Sequence, residues 1–350
     1  MKFHRRPAPS SRAWPAALGA LLALALAAPA AENGFEPFAF FHKPLEEIAA
    51  VVSSARNPRA AAESLVAQDT RHYAKVLREL FRIFRDRYGA VMEKDMRLVH
   101  ALDRSLGLCA DDVHTSSAAL AGGAPPQLIA TLGRSRSCEN LEALLVRDGW
   151  MNGSALHGLL SDLDRISWDA GKRERAYVLK ELRSRLQKIK SRDYEVSTLE
   201  GMHRLRRALR SFLLEVQGFH GLTVLDPDDC PVSRYRAVIN IPVEEEPRPP
   251  LDAGGAAPIR VPECLYREIA KMVEILGDAK DFELRTQVLA KAALESGLVA
   301  DPGQAQVYAR NILSAQPGAA GAEDAGPNVL MELRGSKILE ALIKELRRQR

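Results

Sequence analysis

Leu199 to Val216 reads L-E-G-M-H-R-L-R-R-A-L-R-S-F-L-L-E-V, and its periodicity decides the class of the chain. Met202, Leu205, Leu209, Phe212, Leu213 and Val216 recur at i, i+3 and i+4, which places them on one apolar face of a helix. At roughly 100° per residue, Glu200, His203, Arg206, Arg207 and Arg210 fall in a single arc turned away from that face. A histidine and three arginines along one stripe suit several anionic oxygens at once. A basic helix face is equally an ordinary solvated surface, so the stripe gains meaning only from its surroundings.

Those surroundings are unusually one-signed. Lys172 to Lys190 is a second helix, with Val178, Leu182, Leu186 and Ile189 inward and Lys172, Arg173, Lys180, Arg183 and Lys190 on an outward arc. From Lys172 to Arg210 there are thirteen Lys/Arg against five Asp/Glu, a local net charge of +8 in a chain whose total is +4. Even that total is inflated by the first 30 residues: removing their four basic side chains leaves 45 basic against 45 acidic residues. A solubility surface mixes signs, and this region does not. If the two helices pack side by side, Lys180 and Arg183 join His203, Arg206, Arg207 and Arg210 in lining one groove.

The helical period holds along most of the chain. Hydrophobic content is 46% with only 6% aromatic, which suits Leu/Ala-rich helices, and an all-α fold is expected. Glu32 to Phe41 reads as an irregular lead-in whose phenylalanines dock on a core, and Pro44 opens a helix to about Arg56. Pro58 opens a long helical region to Leu106, which Gly89 interrupts and Gly107 ends. Asp111 to Ser137 is turn-rich around a short helical piece, Gln127 to Leu132; helices follow at Cys138–Val146 and Ser154–Leu163, and Ser197 is placed to cap the opening helix. Thr223–Leu225 and Ala237–Ile241 are the extended runs. Residues 226–262, rich in Pro and Gly, form an excursion or linker between a helical part over 31–225 and a second over 263–350 that completes the bundle. In that second part helices are expected at Cys264–Leu276, Asp281–Ser296, Gln304–Ala315 and Asn328–Arg350.

The first 30 residues have the order of a secretory signal peptide. A positive region with Lys2, Arg5, Arg6 and Arg12 precedes an apolar run over 13–28, and Ala28-Pro29-Ala30 offers a cleavage site. The run is shorter than the ~20 apolar residues a membrane span needs, so a periplasmic or secreted protein is expected. In that setting the four cysteines read as structural disulfides, and Cys109–Cys138 with Cys230–Cys264, each bracketing a loop-like stretch, is favoured over the two other possible connectivities.

Catalytic constellations do not emerge. The sequence has no H-E-x-x-H, G-x-S-x-G, Walker A loop or strand-linked G-x-G-x-x-G, and its histidines lack metal-ligand spacing. No enzyme, metal or cofactor is therefore expected. What remains is E-G-M-H-R-L-R-R-A-L-R-S-F, which resembles the motif of the CHAD domain, a helical module named for its histidines. His203 matches the motif histidine, Arg206, Arg207 and Arg210 its basic positions, and Leu205, Leu209 and Phe212 its apolar ones; a fainter echo lies in His72, Lys75 and Arg78. The resemblance implies two four-helix bundles related by a pseudo-twofold and a basic inner surface that binds inorganic polyphosphate. The rival expectation is a structural envelope protein that contacts a protein partner and no small ligand. Nucleic acid is disfavoured by export and by the lack of aromatic residues among the basic ones.

Overall fold

The computed structural model describes residues 39–169, 171–219, 221–227, 257–315 and 325–349. The fold is all-α, as the periodicity requires. Helix α1 is Ala39–Ser54, α2 Pro58–Ala67, α3 Arg71–Tyr88, α4 Ala90–Ala121, α5 Pro126–Leu132, α6 Ser137–Arg147, α7 Ser154–Asp164, α8 Gly171–Ser191 and α9 Leu199–Gly218. After two short strands come α10 Glu263–Glu295, α11 Pro302–Ser314, α12 Ala325–Gly335 and α13 Ile338–Arg348.

Local chemistry sets many of these boundaries. Asn57 caps α2 by accepting from the Ala60 N–H at 2.8 Å, with Pro58 in the first turn, and Asp301 with Pro302 repeats the device on α11 at 2.9 Å. For α9 the cap is Thr198, one residue beyond the expected Ser197; its hydroxyl accepts from the Gly201 N–H at 3.0 Å. Gly201 itself is required, because a Cβ there would run into the backbone carbonyl of Glu195. Gly89, at φ +69°, separates α3 from α4.

Several boundaries differ from the sequence reading. The region after Pro58 is not one helix to Leu106: Asp69, at φ +46°, breaks it before α3. Gly107 does not end a helix, since α4 passes through it to Ala121, and α10 likewise passes through Gly277 as one helix of 33 residues. Both glycines make room for arginines: a Cβ at Gly107 would meet the Arg71 guanidinium, and one at Gly277 would lie 2.7 Å from Arg206 Nη2. The last helical stretch is split at Lys337, at φ +58°. The lead-in reaches helix by Ala39, so Phe40 and Phe41 already sit in the first turn of α1, packed with Phe81, Phe84 and Phe219.

The buried apolar side chains form one large cluster, drawn from α1 to α4, α6 to α10, α12 and α13, and a smaller one. The smaller cluster packs the distal ends of the two longest helices, around Ala119 and Leu289, against α5 and α11. At about 1.5 Å per residue, helices of 32 and 33 residues outrun a single bundle layer, and α5 and α11 cover the overhang. Strands β1 (Thr223–Asp226) and β2 (Ile259–Pro262) pair in parallel, Thr223 opposite Ile259. Strand β2 was not expected, and the expected run at Ala237–Ile241 lies outside the described residues.

Cys109 and Cys138 form the disulfide that joins α4 to α6. Their separation of 29 residues corresponds to about 3 kcal/mol of loop-closure stabilisation in the chain-entropy model. Cys264 is also disulfide-bonded; its expected partner, Cys230, lies outside the described residues, as do the signal-like segment and its cleavage site. Among the described residues no helix is long and apolar enough to cross a membrane.

Candidate anion-binding groove

Helix α9 packs across α3, and beside their crossing lies an open groove of about 690 Å³. Its lining takes side chains from α3, α4, α8 and α9 and from the segment after α8. Nine arginines contribute, with no lysine, against four carboxylates, Glu79, Asp103, Asp111 and Glu200. Arginine presents a rigid fork of donors matched to oxyanions and keeps its charge when partly desolvated.

Buried carboxylates hold the inner guanidiniums in place. Asp103 of α4, almost fully buried, pairs with Arg71 at 3.3 Å and with Arg78. Glu79 pairs with Arg78 at 3.1 Å and Arg82 at 2.7 Å. Glu215 of α9 pairs with Arg185 of α8 at 2.9 Å and with Arg82. Burial works against ionisation of Glu79, but Arg82 and Arg78 outweigh it and hold its carboxyl below the usual carboxylate range. At Glu215 burial wins against Arg185 and Arg82, and the carboxyl is pushed up to about 7. Three buried acids, one each from α3, α4 and α9, thus orient four arginines of α3 and α8.

Of the remaining groove arginines, Arg204 pairs with Glu200 at 2.7 Å. Among the described residues Arg104, Arg192, Arg207 and Arg210 have no carboxylate partner. Burial lowers the Arg210 guanidinium to about 10, and Arg206, Arg71 and Arg78 push it the same way, with Asp103 opposing. His203 is lowered to about 4, by burial first and then by Arg207 and Lys280. It is neutral at pH 7 and adds no charge to the stripe. Arg207 donates to His203 Nε2, which puts the imidazole proton on Nδ1; that atom is buried and finds no acceptor among the described residues.

Three of the six site residues expected from sequence, His203, Arg207 and Arg210, meet in this groove. Arg206 does not: it turns to α10, packs on Gly277 and donates from Nε to the Val273 carbonyl at 3.3 Å. Lys180 and Arg183 are also outside the lining. On α8 they share a stripe with Gln187 and Lys190, which face α13 across a separate cleft with Glu340 and Lys344. The side of α8 that enters the arginine groove carries Arg185, and Arg192 follows just beyond the helix.

The groove arginines missed by sequence reading are Arg104, Arg185, Arg192 and Arg204, with two more, Arg71 and Arg82, on α3. Its stretch R-H-Y-A-K-V-L-R-E-L-F-R from Arg71 matches H-R-L-R-R-A-L-R-S-F-L-L from His203 at an offset of 132 residues. Arg71, Lys75 and Arg78 then fall on His203, Arg207 and Arg210, and Leu77 and Leu80 on Leu209 and Phe212. Aligning on Arg71 instead of His72 exposes this correspondence. His72 does not line the groove; its ring meets Tyr73 edge-on at 5.6 Å.

Among the described residues no group of three or more His, Cys, Asp or Glu side chains is placed to hold a metal ion. Comparison with known proteins gives no match: no family model, no curated protein and no solved structure is detectably similar to this chain.

Proposed function

We propose that this chain is an exported, CHAD-like helical module that binds polyanions without catalysis, with inorganic polyphosphate the preferred ligand, held in the arginine groove. The supporting observation is the surplus of guanidinium in one concavity: nine arginines against four carboxylates, in a chain that is near neutral outside its first 30 residues. An unbranched chain of phosphates offers one oxyanion per unit, so it can engage several guanidiniums in succession with bidentate, charge-assisted bonds. The matching basic spacing of α3 and α9 supports the CHAD-like reading, since both helices supply the groove. The disulfides agree with an oxidising compartment.

The test is retention of the purified mature protein by long-chain polyphosphate, with Arg104→Ala, Arg207→Ala and Arg210→Ala combined. These arginines have no carboxylate partner in the groove, so removing them leaves no buried acid stranded. The expected outcome is a loss of at least 100-fold in affinity, with Arg206→Ala close to wild type. Equal retention of wild type and triple variant would remove the groove as the site. No retention of either, together with one stoichiometric envelope protein in a pull-down, would favour the scaffolding role.

A further inference from the structure

The cleft between α8 and α13, of about 750 Å³, is a basic concavity apart from the groove. The two helices run antiparallel: Arg175 donates to the Gln349 carbonyl at 2.9 Å, while Lys190 near the other end of α8 pairs with Glu340 in the first turn of α13 at 3.0 Å. Lys190, Lys344, Arg347 and Arg348 line the cleft against one carboxylate, Glu340, which Lys190 neutralises. Arg348 is held by Glu345 at 3.0 Å, whereas Lys344 and Arg347 make no ion pair or hydrogen bond among the described residues. Cations in the last turn of a helix complement its dipole, which accounts for Arg347 and Arg348 but not for Lys344, a turn earlier. Cleft and groove meet at the C-terminal end of α8. Ser191, the last residue of that helix, lines the cleft, and Arg192, the next, lines the groove. Consecutive Cα atoms are about 3.8 Å apart, so the rim between the two is one residue wide at that point. The Arg192 guanidinium lies over the Tyr194 ring at 5.8 Å, and the neighbouring acid, Asp193, is paired with Arg334 at 2.7 Å.

We propose that the α8–α13 cleft is a second subsite for a polymeric phosphate, which leaves the groove at Arg192, passes round the end of α8 and is held by Lys344 and Arg347. This rests on the groove being an anion site and adds a length requirement to it. Along α3 the groove is lined from Arg71 to Arg82, about 16 Å at the helical rise. A short phosphate ion is held within that span and never reaches α13. A long chain carries further oxyanions beyond the groove, and the acids at the crossing, Asp193 and Glu340, are both matched by cations and do not repel it. Once the groove is occupied, contact with the cleft is intramolecular, so the second subsite strengthens long chains selectively.

Equilibrium affinities of the purified protein for long-chain polyphosphate and for tripolyphosphate, compared between wild type and Lys344→Ala combined with Arg347→Ala, test the subsite. Both side chains are exposed, so their removal leaves the core intact. The double variant is expected to bind the long chain about tenfold more weakly and tripolyphosphate as wild type does. Lys271→Ala with Lys291→Ala removes the same charge from exposed positions of α10 and should leave both affinities unchanged. An unchanged long-chain affinity in the α13 variant, beside a loss in the Arg104→Ala, Arg207→Ala, Arg210→Ala variant, overturns the subsite and leaves the groove standing. An equal fall for both ligands, or the same fall in the α10 variant, also overturns it, because either marks a general loss of positive charge. Absence of any binding by wild type overturns both readings.

Discussion

At the scale of single residues, three of the side chains lining the groove could be read from one helix. The arc of His203, Arg207 and Arg210 follows from their spacing, because a helix fixes which side chains share a face. What spacing cannot give is the neighbour: Arg206 and Arg207 are adjacent in sequence and both lie in the arc, yet one packs on Gly277 and the other rims the groove. The charge of His203 was equally hidden, since burial and Arg207 remove it. Arg210 illustrates a tension between binding and stability. Its depressed guanidinium, to about 10, means that the folded state disfavours its charged form relative to the unfolded chain. That cost is present in full at pH 7 and eases only as pH rises through and beyond about 10. Arg210→Met is therefore expected to raise the midpoint of thermal unfolding at pH 7 by a few degrees, on the order of 1 kcal/mol, while weakening polyphosphate binding at least tenfold. Calorimetric melting and a binding isotherm on the same preparation check both; a destabilised variant with unchanged affinity would assign Arg210 to packing instead.

At the scale of elements, the sequence located nearly every described helix and mistook several of their breaks. Caps such as Asn57 and Asp301 are chemical signals carried by two or three residues, so they are legible. Gly107 and Gly277 carry the sequence signature of helix ends but sit inside helices, because an arginine from another helix needs the space a Cβ would fill. That partner lies 36 residues from Gly107 and 71 from Gly277, beyond the reach of local pattern. Gly201 shows the opposite case, a glycine demanded by backbone. Its Cβ would meet the Glu195 carbonyl, which cannot swing aside as a side chain can. Gly201→Ala should destabilise the fold by about 2–3 kcal/mol, read as a lowered urea midpoint, and displace the N-terminal turn of α9 that carries His203. A midpoint within 0.5 kcal/mol of wild type, on the order expected for a neutral surface change, would show that the turn before α9 is free to move.

At the scale of the whole molecule, the all-α class followed from composition and period, whereas the assembly of the groove did not. It depends on which faces of α3, α4, α8 and α9 meet, and on three buried acids that no surface-charge count would single out. The result is a concavity in which nine arginines meet four carboxylates, in a chain whose net charge is only +4. Binding there should release counterions and weaken as salt screens the arginines. The most direct test is the equilibrium affinity of the purified protein for long-chain polyphosphate from 50 to 500 mM salt, beside the Arg104→Ala, Arg207→Ala, Arg210→Ala variant. Tight binding by wild type that falls steeply with salt, and a variant both weaker and flatter in its salt response, is the expected result; affinities and salt slopes that coincide for the two proteins would contradict the arginine groove as the binding site.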